Sequence, residues 1–109
     1  NDSKVIIVGD LNDSITDSEI SNVFSSLLND TSLTFANMNI ATGSSSNWSY
    51  PTYPSHIDHI ILSNELFDYL IFDNVQTIKI DNDLNGGWNE YESNISDHRP
   101  IGIKLEINN

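Results

Sequence analysis

The sequence predicts an α/β domain built mainly as one β-sheet with a covering helix. Short runs rich in β-branched residues recur along the chain, "KVIIVGD", "HIDHIILS" and "PIGIKLEI", each of strand length. One segment, "TDSEISNVFSSLLN", carries its apolar residues at helical spacing instead. The length of 109 residues fits one small domain or a portion of a larger one.

The elements follow in order. "KVIIVGD" is a continuous apolar run closed by Gly and Asp, which predicts a buried strand over Lys4 to Val8 leading into a turn. In the helical segment, Ile20, Val23, Phe24, Leu27 and Leu28 share one face. Thr16 and Glu19 have capping-box spacing, so the helix is expected from Asp17 to Asn29 or Asp30. "SLTFAN" predicts a short strand, and 37–55 has the composition of a loop. His56 to Leu62 predicts a second buried strand, "NELFDYL" a helical turn and "FDNVQTIKI" a third strand. "DNDLNGGWNEYESN" reads as a long polar loop, and the alternation of Ile101, Ile103, Leu105 and Ile107 predicts the last strand.

Sixteen acidic residues against four basic ones give a formal charge of -12. Such a surface repels polyanions and attracts divalent cations, which argues against a broad basic nucleic-acid face. A phosphate can still be handled at one point where a metal ion bridges it to carboxylates. The chain has no cysteine, so disulfides and Cys-ligated zinc are excluded. No apolar run has the length of a membrane span. "NDSK" lacks signal-peptide character, so any export signal is expected outside this chain.

Acidic and imidazole groups gather at the strand ends. "GDLN" places Asp10 and Asn12 after the first strand, where an extended turn would point both the same way. A carboxylate there can orient or deprotonate a water, and an amide can donate to a phosphoryl oxygen. The same four residues also make a good plain turn. "HIDHIILS" sets Asp58 in an apolar strand, where a carboxylate needs a partner; a histidine or a loop amide would serve. On a regular strand His56 and Asp58 would share a face and His59 would point away, which disfavours a zinc site made from all three. "SDHRP" sets Asp97, a hard oxygen ligand, beside His98 and Arg99, the chain's only arginine, at the start of the last strand. Trp48, Tyr50, Tyr53, Trp88 and Tyr91 are either hydrophobic anchors of their own loops or stacking surfaces for a base or a sugar.

Taken in order, "VGDLN", "HIDHIILS" and "SDHRPI" resemble the endonuclease/exonuclease/phosphatase superfamily with the DNase I-like fold, over Val8 to Leu105. The chain is similar to members found in secreted or cell-surface bacterial proteins. The resemblance implies the C-terminal half of a four-layered α/β sandwich. It also implies hydrolysis of phosphodiesters or phosphomonoesters (DNA, RNA or a small phosphoester) with Mg²⁺, or with Mn²⁺ or Ca²⁺ in its place. By the same resemblance Asp10 positions and activates the attacking water, and Asn12 orients that water or holds a phosphoryl oxygen. Asp58 orients a catalytic histidine, which differs among members. Asp97 joins Asp10 at the metal, His98 contacts the scissile phosphate, and Arg99 falls at a variable position. The family's first half supplies an Asn and a Glu near the metal, and no such motif lies upstream of Asp10 here. The missing N-terminal half is thus an expected partner, and the chain alone is expected to self-associate through the sheet face left uncovered. A non-catalytic module that uses the aromatic loops for a sugar or protein ligand is the alternative.

Overall fold

A computed structural model describes residues 3–107; Asn1 and Asp2 of the "NDSK" segment lie outside them, as do Asn108 and Asn109. The fold is α/β, with two small antiparallel sheets rather than the single sheet expected. The first sheet has the order β1-β3-β2, formed by Ile6–Asp10 (β1), Leu33–Phe35 (β2) and Asp58–Ser63 (β3). The second pairs Val75–Thr77 (β4) with Ile101–Ile103 (β5). Helices are short: Ser25–Leu28 (α1), Met38–Ala41 (α2) and Gly87–Asn94 (α3), with short 3₁₀ segments elsewhere, including the two turns of Asn64–Tyr69 in the segment read as a helical turn.

β3 organises the molecule because it is apolar on both faces and flanked on both edges. One face sets Ile60 and Leu62 against Ala36, Leu66 and Val75, and Ile101 and Ile103 of β5 pack onto that cluster. The other sets Ile61 against Ile15, Phe35 and Ala41, with Phe24, Leu27 and Leu28 added from α1 and the residue before it. β3 runs antiparallel to β1, with Ile6 opposite Leu62 and Asp10 opposite Asp58.

Four expectations need correction. β1 is not buried. It is the edge of its sheet, and Val5, Ile6, Ile7 and Val8 are all exposed, because the two clusters centre on β3 and include no residue of β1. The helix from Asp17 is reduced to α1. The Asn22 side chain donates to the Ile15 and Asp17 carbonyls and accepts the Phe24 N–H, offering the backbone an alternative to helix. The Thr16 hydroxyl pairs with Ser14, so no capping box forms, and Ile20 is 100% exposed rather than in the core. The long loop from Asp81 instead contains a 3₁₀ turn, Ile80–Asp83, and α3, in which Trp88 stacks on buried Tyr91. The last strand does not join β1 and β3. It is confined to three residues and pairs with β4, the pairing extended by Ile78 N–H to the Pro100 carbonyl and Lys104 N–H to the Asn74 carbonyl.

The corrected helix carries a direct consequence. Ile20→Ser should change unfolding free energy in urea by no more than about 0.5 kcal/mol. Phe35→Ala should cost about 3–5 kcal/mol. A cost above about 2 kcal/mol at Ile20 would restore the longer helix.

Candidate functional site

Asp10 and Asp58 face each other directly across β1 and β3. Hydrogen bonds from Ser63 N–H to the Val5 carbonyl and from Leu11 N–H to the Ile57 carbonyl put the odd-numbered β1 residues in the hydrogen-bonded pairs. Asp10 and Asp58 are therefore a non-hydrogen-bonded pair, in which opposed side chains lie closest. Two like charges at such a position are unfavourable unless a positive group joins them.

His98 is that group. Its Nδ1–H donates to Asp58 Oδ2 at 2.7 Å, and its Nε2 lies 3.9 Å from Asp10 Oδ2 and 3.9 Å from Asp97 Oδ1. Asp10, Asp58 and His98 each offer one ligand atom within 4.8 Å of the others. Asp97 stands outside that tight cluster, at the His98 edge. Burial pulls the His98 pKa down, but the Asp58 hydrogen bond and the charges of Asp58, Asp10 and Asp97 outweigh it, so the net shift is upward. The imidazolium is thus favoured over its ordinary range.

His98 is held from behind. Its carbonyl accepts the Tyr91 hydroxyl at 2.9 Å, its N–H donates to Ser96 Oγ, and the Tyr50 ring packs 5.1 Å from its own. The next residue anchors the segment. Arg99 forms a two-pronged pair with buried Asp81, at 3.0 and 2.7 Å, lies 5.2 Å from the centre of the Trp88 ring, and donates its backbone N–H to the Ser49 carbonyl. The Arg99 hydrogen bonds hold the Asp81 carboxyl below the usual range against the effect of burial. The arginine of "SDHRP" therefore fixes the strand mouth instead of facing a reactant.

Asn12 takes a left-handed φ of 55°, so the "GDLN" turn is not extended as expected. Asn tolerates this region better than most residues. Its backbone N–H donates to Asp10 Oδ1 at 2.9 Å, which orients that carboxylate, while its side chain is exposed. The three residues of "HIDH" do not converge. His56 precedes β3 and turns with His59 onto the buried Asn37 amide, while the Asp58 carboxylate turns to His98. Burial holds His56 down to about 4 and also lowers His59, so both imidazoles are neutral near pH 7.

A cleft of about 380 Å³ opens at this rim, floored by Val8, Ile60 and Ile101 and bordered by Asp58 and His98. The donor set suits a small hard cation. Asp10 and Asp97 are half-exposed carboxylates, and among the described residues His98 is their only ion-pair partner. Mg²⁺ is commonly held by one or two carboxylates with water filling its other positions.

Tyr50, Asp81, Tyr91 and Asn37 were not singled out from sequence as supports of this rim. Only the Trp88–Tyr91 pair left a signal, its three-residue spacing being that of one helix face. Comparison with protein-family models, with curated proteins and with solved structures gives no match.

Acid should destabilise the fold through His56. Its folded pKa lies below its unfolded value, so the unfolded chain binds more protons between about 4 and 6.5. The stability from burying it neutral is complete above pH 6.5 and is lost as pH falls, on the order of 3 kcal/mol for a shift of this size. Urea unfolding at pH 7 and 4.5 measures it: His56→Gln should flatten the dependence, and a wild-type curve flat in this window would contradict the assignment. His98, shifted upward, has the opposite sign: its contribution is complete below pH 6.5 and is lost as pH rises through its folded pKa. Separately, Asp81→Ala strands a mostly buried Arg99 and should cost about 3–5 kcal/mol in the same assay.

Proposed function

We propose that this chain is the C-terminal portion of a divalent-metal-dependent phosphoesterase of the endonuclease/exonuclease/phosphatase type. The observation that supports this best is the Asp58–His98–Asp10 constellation: a carboxylate-oriented imidazole whose outer nitrogen faces an exposed carboxylate. The three sequence motifs supplying these residues are those that carry the resemblance.

On this reading the residues take the roles that the resemblance implies. Asp58 fixes His98 with the proton on Nδ1 and favours its cationic form. His98 Nε2–H then donates to a phosphoryl oxygen and stabilises charge as it develops. Asp10, held by the Asn12 N–H, orients and deprotonates the attacking water. The exposed Asn12 amide can donate to a second phosphoryl oxygen. Asp10 and Asp97 would hold the metal, with Mg²⁺ preferred over Mn²⁺ or Ca²⁺, and the ion would supply positive charge that polarises the phosphoryl group. The acidic balance favours a small phosphoester over a long polyanion. Trp48, Tyr50, Trp88 and Tyr91 are buried or half-buried within the fold, leaving Tyr53 as the exposed aromatic of the set, which weighs against a stacking module.

The uncovered apolar edge at β1 supports a partner segment there, by our reading the preceding half of the domain. Alone, the chain should bind Mg²⁺ weakly, turn over a generic phosphodiester at no useful rate, and associate with itself at micromolar concentration in light scattering. A stable monomer, or robust turnover abolished by Asp10→Ala, would contradict the half-domain reading.

In the parent domain, Asp10→Asn and His98→Ala should each lower turnover of bis(p-nitrophenyl) phosphate by roughly 10²–10⁴-fold, and chelation should abolish it. Near-normal rates in either variant would remove that residue from the mechanism.

A further inference from the structure

β2 ends at Phe35, and Ala36 N–H adds one further rung to β3 through the Ile60 carbonyl, at 2.8 Å. The chain then leaves the sheet, and Ile60 N–H would be left buried without a partner. The side chain of Asn37, 0% exposed, replaces the missing rung: its Oδ1 accepts Ile60 N–H at 2.9 Å. Its Nδ2 donates to His59 Nδ1 at 2.8 Å and lies 2.8 Å from His56 Nε2 and 3.3 Å from the Asp58 carbonyl, while His56 Nδ1 accepts the Ser49 N–H. The Ile60 bond fixes which end of the amide is oxygen, since the reverse would set two donors together.

This fixes the tautomer of His59. Its Nδ1 must be an acceptor, so its proton is on Nε2, where it donates to the Asp13 carbonyl at 2.7 Å. Phe24 and Phe35 pack against the ring, each with its centroid 5.8 Å away, and hold its plane. Both nitrogens are occupied, so His59 has none left for a reactant. What it does is tie β3 to the turn that carries Asp10 and Asn12. That turn bends through a left-handed residue and is exposed at Asn12, and Leu11 N–H ties it to the carbonyl of Ile57, the residue before β3.

We infer that Asn37 and His59 are positioning residues, which set the Asp10–Asp13 turn and the Asp58 end of β3 in one geometry through the link from Ile60 N–H by way of Asn37 and His59 to the Asp13 carbonyl. The inference rests on reading this rim as the reactive site. A core histidine that merely fills space would be replaceable by any ring of similar size. A positioning histidine is replaceable only by a group that still donates to Asp13.

His59→Phe and His59→Gln in the full chain separate the two. Phe keeps an aromatic ring beside Phe24 and Phe35 but cannot donate; Gln can. The readouts are backbone ¹⁵N order parameters of residues 11–13 and Mn²⁺ affinity by electron paramagnetic resonance. In His59→Phe the order parameters should fall from about 0.85 to below about 0.6. Mn²⁺ affinity should fall about tenfold. His59→Gln should keep the turn ordered and stay within about threefold of the wild-type affinity. Should His59→Phe not fold, His59→Met, which fills a similar volume with a flexible side chain and cannot donate, should loosen the same turn. An ordered turn in either non-donating variant, or Gln no better than Phe, overturns the inference. If the wild type binds no Mn²⁺ through Asp10, the metal reading fails, and the order parameters still decide the positioning role.

Discussion

Two carboxylates set directly opposite each other on adjacent strands are the constraint from which the rest of this rim follows. Asp10 and Asp58 occupy a non-hydrogen-bonded pair, the closest cross-strand position available. Left alone they would repel and weaken the pairing of β1 with β3. His98 relieves this by bonding Asp58 and facing Asp10, and the same charges that need it raise its pKa. The electrostatic problem and the candidate chemistry are thus one arrangement, with an anionic rim on which a cation and a phosphoryl group can be bridged.

Holding an imidazole there requires structure behind it. The "SDHRP" segment is fastened by the Arg99–Asp81 pair and by the Tyr91 hydroxyl, both of which depend on the 80–94 region being folded. The acidic chain thus uses its one arginine internally, where a guanidinium matches a buried carboxylate in a planar, two-pronged pair. On the opposite side, the Asn37 amide continues the β3 ladder after β2 has ended and buries two neutral imidazoles without an unsatisfied polar atom among the described side chains. The rim is therefore braced from both faces of β3.

Strand positions were legible in the sequence because short β-branched runs have few other uses: β2, β4 and β5 fall within the segments so read, while β1 runs two residues past Val8 and β3 one residue past Leu62. The strand-end placement of Asp10, Asp58 and Asp97 followed from the same runs. Helix extent was less legible. The spacing of Ile20, Val23, Phe24, Leu27 and Leu28 is helical, yet the Ser- and Asn-rich residues between them hydrogen-bond locally, and only the last turn forms. Sheet membership could not be read at all. The alternation in "PIGIKLEI" says which residues face a core, not which strand lies alongside, and β4 proved the neighbour. The partner of Asp58 was open for the same reason: three histidines were candidates, and only tertiary pairing distinguishes His98, which bonds it, from His56 and His59, which turn to Asn37.

We propose that the Asp10–Asp58–His98 rim, with Asp97 at its edge, is the cation-binding reactive site of this protein. Paramagnetic broadening of assigned backbone amides during a Mn²⁺ titration tests it most directly. Saturable broadening is expected around Asp10, Asp58, Asp97 and His98, with the 81–83 acidic turn unaffected at the same ion concentration because Asp81 is already engaged by Arg99. Broadening spread evenly over the acidic surface, or centred away from this rim, would contradict it.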